Sequence, residues 1–354
     1  MKTGRSLSDM AQELERQQST KRDLIVPSAL LRHDTAQDGE TQLAIKESSG
    51  TAHYGITPLA RRQLAEKLKI PFPYFERMRQ TQPTLLDQNV NTWLQGEDER
   101  RMLRTLDGKV RAVLSERYRR LDNFDLAQSV LPILLELPQA RFESVELTET
   151  RMYVKVVTPR IQMEVAPGDI VQAGVVVSNS EVGEGTLSVQ PLLYRLVCRN
   201  GLIAPERALR KTHLGRTLGS DAQDFQVFQD DTLRADDQAF FLKVRDVVQA
   251  AVSEATFRQC AAKLQKTLQI PLTGDPVRSV QVLANRYGLN DNERSGVLRN
   301  LISEGRLSGY ALVNAVTHYS QEVEDYDRAT DFEAIGGKMI DLSSAEWKQL
   351  ANAG

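Results

Sequence analysis

The stretch FESVELTETRMYVKVVTPRIQMEVAPGDIVQAGVVVS, residues 142–178, decides the fold class. Three β-branched, apolar runs stand out in it: Phe142–Thr148, Arg151–Thr158 and Ile170–Ser178. Each has the length and composition of a strand. Thr148–Thr150 is short enough to join the first two as a hairpin. Within Arg151–Val156 the period-two alternation puts Met152, Val154 and Val156 on one face and Arg151, Tyr153 and Lys155 on the other.

Upstream, Asp107–Gly108 marks a turn ahead of a short β run, Val110–Leu114. Asp122–Asn123 then caps a helix through Phe124, Ala127, Val130, Leu131 and Leu134, with Pro132 as a kink. Downstream, Thr186–Val189 reads as a further strand. After Pro191, the residues Leu192, Leu193, Leu196 and Val197 fall on one side of an expected helix that stops at Asn200–Gly201. The expectation is an α+β protein with a central β-α-β-β-β-α core over residues 106–220, built on an antiparallel sheet and a β-hairpin. Residues 1–30 form an arm in which Leu7, Met10, Ala11 and Leu14 sit at helical spacing. Residues 31–105 are expected to be a helical region, with Thr57–Pro58 opening one helix. Residues 235–354 form a second one, with helices over Phe240–Leu268, Val277–Tyr287, Glu293–Ser303 and Ala311–Tyr326.

The chain of 354 residues carries 45 Lys plus Arg against 47 Asp plus Glu, which excludes a globally basic packaging protein. The charge is segregated nonetheless. Residues 100–120 hold eight basic side chains against two acidic ones, and residues 195–216 hold six against one. Residues 319–346 are acidic. Arginine dominates the basic clusters, and its planar fork suits phosphate oxygens. Lys109, Arg111, Arg117, Arg119, Arg120, Arg195 and Arg199 are therefore candidate nucleic-acid contacts. Arg151, Tyr153 and Lys155 join them as a cation–aromatic–cation row on an exposed sheet face, able to stack a base and hold its phosphates. The competing reading is a solvated surface whose arginines pair with acids elsewhere in the chain.

Catalytic patterns are thin. His33, His53 and His213 lack acids or cysteines at ligand spacing, while a continuous helix would put His318, Glu322 and Asp325 on one face. Gly183–Gly185 and Gly336–Lys338 lack the remaining glycines of phosphate loops and read as turns. Cys198 reads as core packing, and two cysteines make no disulfide framework. Residues 57–79 superficially resemble a helix-turn-helix, but Pro71 and Pro73 suit a packing corner better. The expectation is a non-enzyme with no cofactor and no metal, cytoplasmic, with no membrane span.

Three segments carry a family resemblance: VRAVLSERYRRLDN (110–123), VVVSNSEVGEGTLSVQPLLYRLVCRNGL (175–202) and GYALVNAVTHYSQEVEDYDRATDFEAIGGKMIDL (309–342). Across residues 50–346 the chain resembles the phage/plasmid-like proteins grouped as domain of unknown function 932, a likeness that implies mobile-element genetics. The expected element order is also similar to the core of single-strand annealing proteins, the Red-beta/RecT and eukaryotic annealing-mediator group. That likeness implies single-stranded DNA as a partner, ATP-free annealing in recombination, and self-assembly into a ring or filament. Two alternatives are a protein-interaction component of a mobile-element defence or anti-defence system, and a sequence-specific DNA-binding regulator.

Overall fold

The computed structural model describes the chain except residues 48, 49, 119, 206–229 and 354; the side chains of residue 47 and of residues 230–238 also lie outside the description. Two compact units divide it. One comprises Ala11–Phe124 with Ser180–Gly185, the other Met1–Met10, Asp125–Asn179 and Thr186–Gly354.

The first unit is built on a six-stranded sheet. After α1 (Leu7–Thr20) come β1 (Arg22–Pro27), β2 (Leu31–Thr35), β3 (Thr41–Glu47) and β4 (Gly50–Ile56). Helices α2 (Pro58–Lys67), α3 (Phe72–Thr81) and α4 (Pro83–Gly96) lead into the hairpin β5 (Arg100–Leu106) and β6 (Lys109–Ser115). The strand order is β1-β5-β6-β4-β3-β2. Only the short β4–β6 pairing is parallel, because the helices carry the chain across between those strands. Leu43, Ile45, Leu64, Phe75, Leu86, Leu103 and Val113 form the core between sheet and helices. Thr57 caps α2 by accepting from the Ala60 amide at 3.3 Å, with Pro58 in the first turn. On the reverse face, Met102, Ala112 and Leu114 pack with Val182 of the Ser180–Gly185 segment.

The second unit carries an antiparallel meander. After α5 (Asn123–Leu135) it runs through β7 (Arg141–Leu147), β8 (Met152–Ala166), β9 (Asp169–Asn179), β10 (Ser188–Arg195) and β11 (Asn200–Ile203), paired in sequence order. Helices α6 (Asp230–Ala251), α7 (Glu254–Lys266), α8 (Pro276–Tyr287), α9 (Asp291–Ser303), α10 (Gly309–Tyr319), α11 (Tyr326–Ile340) and α12 (Ser344–Ala351) follow. One sheet face, through Val171, Ala173, Leu193 and Leu202, joins a core with Phe257, Leu264, Leu312, Phe332 and Trp347. The other, through Val157, Val176, Leu192, Tyr194 and Ile203, packs around Met1.

The α+β class holds, and so does the hairpin of residues 142–158. Several finer expectations do not. Residues 31–105 contain β2 to β5 as well as three helices: the half-buried alternation of Leu31–Thr35 is that of a strand, and it forms a hairpin with β3, Leu31 opposite Ile45 and Thr35 opposite Thr41. The expected core strand at Val110–Leu114 is β6, which belongs to the six-stranded sheet, so the 106–220 boundary divides a hairpin. The segment after Pro191 is strand β10, not a helix: Leu193 faces one core while Leu192 and Tyr194 face the other. A strand buried on both faces loses its alternation and cannot be told from a buried helix by pattern. Cys198 therefore lies in the turn between β10 and β11, half-exposed, and Asn200–Gly201 opens β11. Gly336–Gly337 is no turn but the middle of α11, where a Cβ on Gly337 would collide with the Ile203 carbonyl and one on Gly336 with the Thr317 methyl.

Candidate nucleic-acid interface

Acids from outside the 100–120 window pair with half of that basic cluster, Arg101, Arg104, Arg111 and Arg120. Arg104 is fully buried and donates to Asp23, to Asp122 at 2.5 Å and to the Glu181 carbonyl at 2.9 Å. Between Arg104 and Thr105 the β5–β6 register shifts, leaving Arg111 as an extra residue on β6. Such a bulge re-aims its side chain, and the Arg111 guanidinium pairs with the Glu181 carboxylate. Lys21 bridges Asp122 at 2.9 Å and Glu181 at 3.2 Å, and the Asn123 amide donates to Glu181 at 2.7 Å. Burial pushes the Asp122 carboxyl up, but the charge and hydrogen bond of Arg104, joined by Lys21, hold it below the usual range. Arg100 lies 3.9 Å from Glu116, Arg101 meets Glu97 and Glu99, and Arg120 lies 3.4 Å from Asp23. Lys109 and Arg117 are exposed, with no carboxylate at ion-pair distance among the described residues. Lys109 opens β6 and Arg117 lies in the turn two residues past its end, so the length of the strand, roughly 20 Å at about 3.3 Å per residue, stands between them. Arg119 lies outside the described residues, as do Arg207, Arg210, Lys211, His213 and Arg216.

The expected exposed row on β8 is buried. Helix α11 lies over Tyr153 and Lys155, which keep 2% and 0% of their surface. The Lys155 ammonium donates to Glu333 at 2.8 Å and to Thr330 at 2.9 Å, and sits 4.8 Å from the Tyr326 ring centroid. Tyr153 packs against Tyr326 with centroids 5.4 Å apart, which leaves no ring face for a base. Burial lowers the Lys155 pKa against the opposing pull of Glu333. Arg151 is half-buried and donates to the Tyr153 hydroxyl at 3.4 Å. Helix α11 is held over the sheet by electrostatics as well as by apolar packing. The acidic 319–346 segment supplies Glu333 to Lys155 and Asp327 to Thr148 and Thr150, closing the helix onto the sheet within one chain.

Arg195 is also spent internally. It pairs with Asp169 at 2.7 Å and Glu304 at 3.3 Å, and stacks over Tyr310. Arg199 is different. It is exposed in the β10–β11 turn at φ 50°, with no carboxylate at ion-pair distance among the described residues. It borders a cleft of about 580 Å³ shared with Arg141, Glu143, Tyr194, Leu196 and Gln321. Arg141 reaches across the sheet, pairing with Glu143 at 2.7 Å and donating to Gln172 at 3.1 Å. Gln321 donates to the Cys198 carbonyl at 2.8 Å and ties down the turn that bears Arg199. Two guanidinium groups on one concave surface match the oxygens of a phosphate. Arg141 is the residue that the sequence reading missed. It stands one position before the first strand run, and only the sheet brings it to the turn 58 residues later.

The His318–Glu322–Asp325 face does not form. Helix α10 ends at Tyr319, Glu322 turns to Arg299 and Asn300, and Asp325 caps α11. No group of three metal-ligating side chains occurs among the described residues, and none of their helices is long and apolar enough to cross a membrane. In residues 57–79, Phe75 and Met78 of α3 are buried in the core of the first unit, as a packing corner requires.

The family described as domain of unknown function (DUF932) matches residues 111–336, more than half of the chain. The chain belongs to that family. The DUF932 match takes in Glu181 with its partners Arg111 and Asn123, and Lys155 with Thr330 and Glu333 of α11, while Lys21 and Arg104 lie ahead of it. Curated proteins and solved structures return no match.

Proposed function

We propose that this DUF932 protein binds single-stranded nucleic acid through its phosphates, without catalysing a reaction. In this reading it acts on mobile-element DNA as a homo-oligomer, a ring or filament, that anneals complementary strands without ATP. The supporting observation is the cleft where Arg141 and Arg199 face a common space of about 580 Å³. Exposed guanidinium groups on a concave surface attract a polyanion and release its counterions. Tyr153 and Lys155 drop out of the interface, since α11 covers both. The mobile-element setting rests on the DUF932 resemblance, and the annealing step on the element order expected from the sequence, of which helix α5, the β7–β8 hairpin and β9 remain while β6 and β10 depart from it.

Fluorescence anisotropy of a labelled oligonucleotide of about 50 nucleotides, single-stranded and duplex, tests this across a salt series. The double variant Arg141→Ala/Arg199→Ala should weaken single-strand binding and flatten the log–log salt slope by about 1.4, the share of two phosphates. Tyr153→Phe should leave both unchanged. An unchanged slope in the arginine double variant removes the cleft from the interface.

A second reading is favoured by the internal pairing of Arg100, Arg101, Arg104, Arg111 and Arg120. In it the protein is an interaction component that meets another protein rather than nucleic acid. It predicts no affinity for either oligonucleotide even at low salt.

A further inference from the structure

Within the second unit, a groove of about 560 Å³ runs between α7, the turn after it, and the α11–α12 junction. Ile270, Pro271, Ile340, Leu342 and Trp347 make its apolar lining. Lysines stand on both walls: Lys263 and Lys266 on α7, Lys348 on α12. Lys263 is held by Asp341 at 2.9 Å. Lys266 and Lys348 are exposed, and neither has a carboxylate at ion-pair distance among the described residues. The lining thus carries three cations and one anion around an apolar floor.

We propose that this groove docks an acidic peptide segment of a partner protein, one that seats an apolar side chain on the floor and flanks it with Asp or Glu. Charge complementarity commits the site to that occupant, because an uncharged apolar peptide would leave the ammonium groups of both walls unanswered. The floor would contribute the burial and the lysines the selectivity and encounter rate. Nucleic acid fits less well, since Trp347 is only 5% exposed and offers no ring face for stacking. A lipid tail fits less well too, because Thr273, Ser344 and Asn352 interrupt the apolar lining. Those same groups suit the amides and carbonyls of a peptide backbone.

The test pans a displayed library of random dodecapeptides on the full chain and, in parallel, on Lys266→Glu/Lys348→Glu. The wild type should enrich peptides with one or two apolar residues bracketed by acids. Synthetic copies should bind the charge-reversed protein about tenfold more weakly, or worse, and lose affinity in salt. Lys266→Arg/Lys348→Arg should retain the binding, which separates charge from any folding defect. Enrichment of neutral or basic sequences, equal capture by wild type and the charge-reversed variant, or no enrichment each overturns the proposal. A change of oligomeric state in the charge-reversed variant also overturns it, since the occupant would then be a second copy. Oligonucleotide affinity, measured on the same variants, reads the other cleft and is expected to stay unchanged.

Discussion

Lys155 and Arg199 were equivalent as basic residues in the sequence, yet burial sends them to opposite roles. Lys155 is enclosed with Glu333, whose second carboxylate oxygen has no hydrogen-bond partner. Removing one member of a buried pair strands the other, so Lys155→Met should cost about 4 kcal/mol in urea unfolding. Lys155→Met combined with Glu333→Leu should recover most of that loss, because an apolar pair of similar volume needs no compensation. If the double variant is as unstable as the single, the stranded charge is not the cause. Arg199 holds φ 50°, a left-handed conformation that costs a non-glycine residue roughly 1 kcal/mol. Arg199→Gly should therefore raise the unfolding midpoint while lowering oligonucleotide affinity, and Arg199→Ala should lower affinity without the gain. A residue kept at a strained turn to the detriment of stability is what a binding role would explain.

Among elements, α11 does most to set what the second unit exposes. It begins over the β7–β8 hairpin, where Tyr326 shares a 2.6 Å hydrogen bond with Ser144. It passes Lys155 at Thr330 and Glu333, and reaches β11 at Gly336–Gly337. Gly337 allows a backbone approach that any side chain would block, since only the backbone of Ile203 and Ala204 faces it, and Gly336 makes room for the Thr317 methyl. Gly337→Ala should destabilise the fold by about 3 kcal/mol despite its better helix propensity, read as a drop in melting temperature. A neutral or stabilising result would mean that α11 does not sit this close to β11. The Ser180–Gly185 segment plays the matching part in the first unit, carrying Glu181 to Arg111, Lys21 and Asn123. The family-like motif SNSEVGEG is thus accounted for by ion pairing and by Val182 packing, with no phosphate loop involved.

For the whole molecule, the two units each carry one tryptophan: Trp93 in the six-stranded unit and Trp347 in the five-stranded one. Trp93 is exposed on α4 and Trp347 is buried, so single-tryptophan variants report each unit by a separate probe. Acid should weaken the six-stranded unit in a defined window. Asp107 is lowered to about 2 by hydrogen bonds from Arg16 and Thr20. Asp87 and Asp122 are raised by burial but end below the usual range, Asp87 through His33 and Thr35 and Asp122 through Arg104 and Lys21. A carboxylate whose folded pKa lies below its unfolded value of about 3.9 stabilises fully above that value, and the stabilisation is lost as pH falls through the folded pKa. Urea midpoints reported by Trp93 should hold above pH about 5 and fall between about 4 and 2. Asp122→Asn should lower the midpoint at neutral pH and flatten that acid slope; parallel curves for variant and wild type would exclude Asp122 as a contributor.

Local pattern alone determined the α+β class, the strand segments Phe142–Thr148, Arg151–Thr158 and Ile170–Ser178 though not the extension of β8 to Ala166, the opening of α2 at Thr57–Pro58, and the helices around Val277–Tyr287 and Glu293–Ser303. Caps, turns and periodicities act between residues a few positions apart, so the chain carries them without its fold. Tertiary structure alone decided that β10 is a strand, that β6 joins another sheet, and that Tyr153 and Lys155 lie under α11. It also decided which arginines remain free for a ligand. Arg111 reads as a phosphate contact until Glu181, 70 residues beyond it, closes on it. A cation's availability is set by the carboxylate that folding brings to it, and no spacing along the chain encodes that distance.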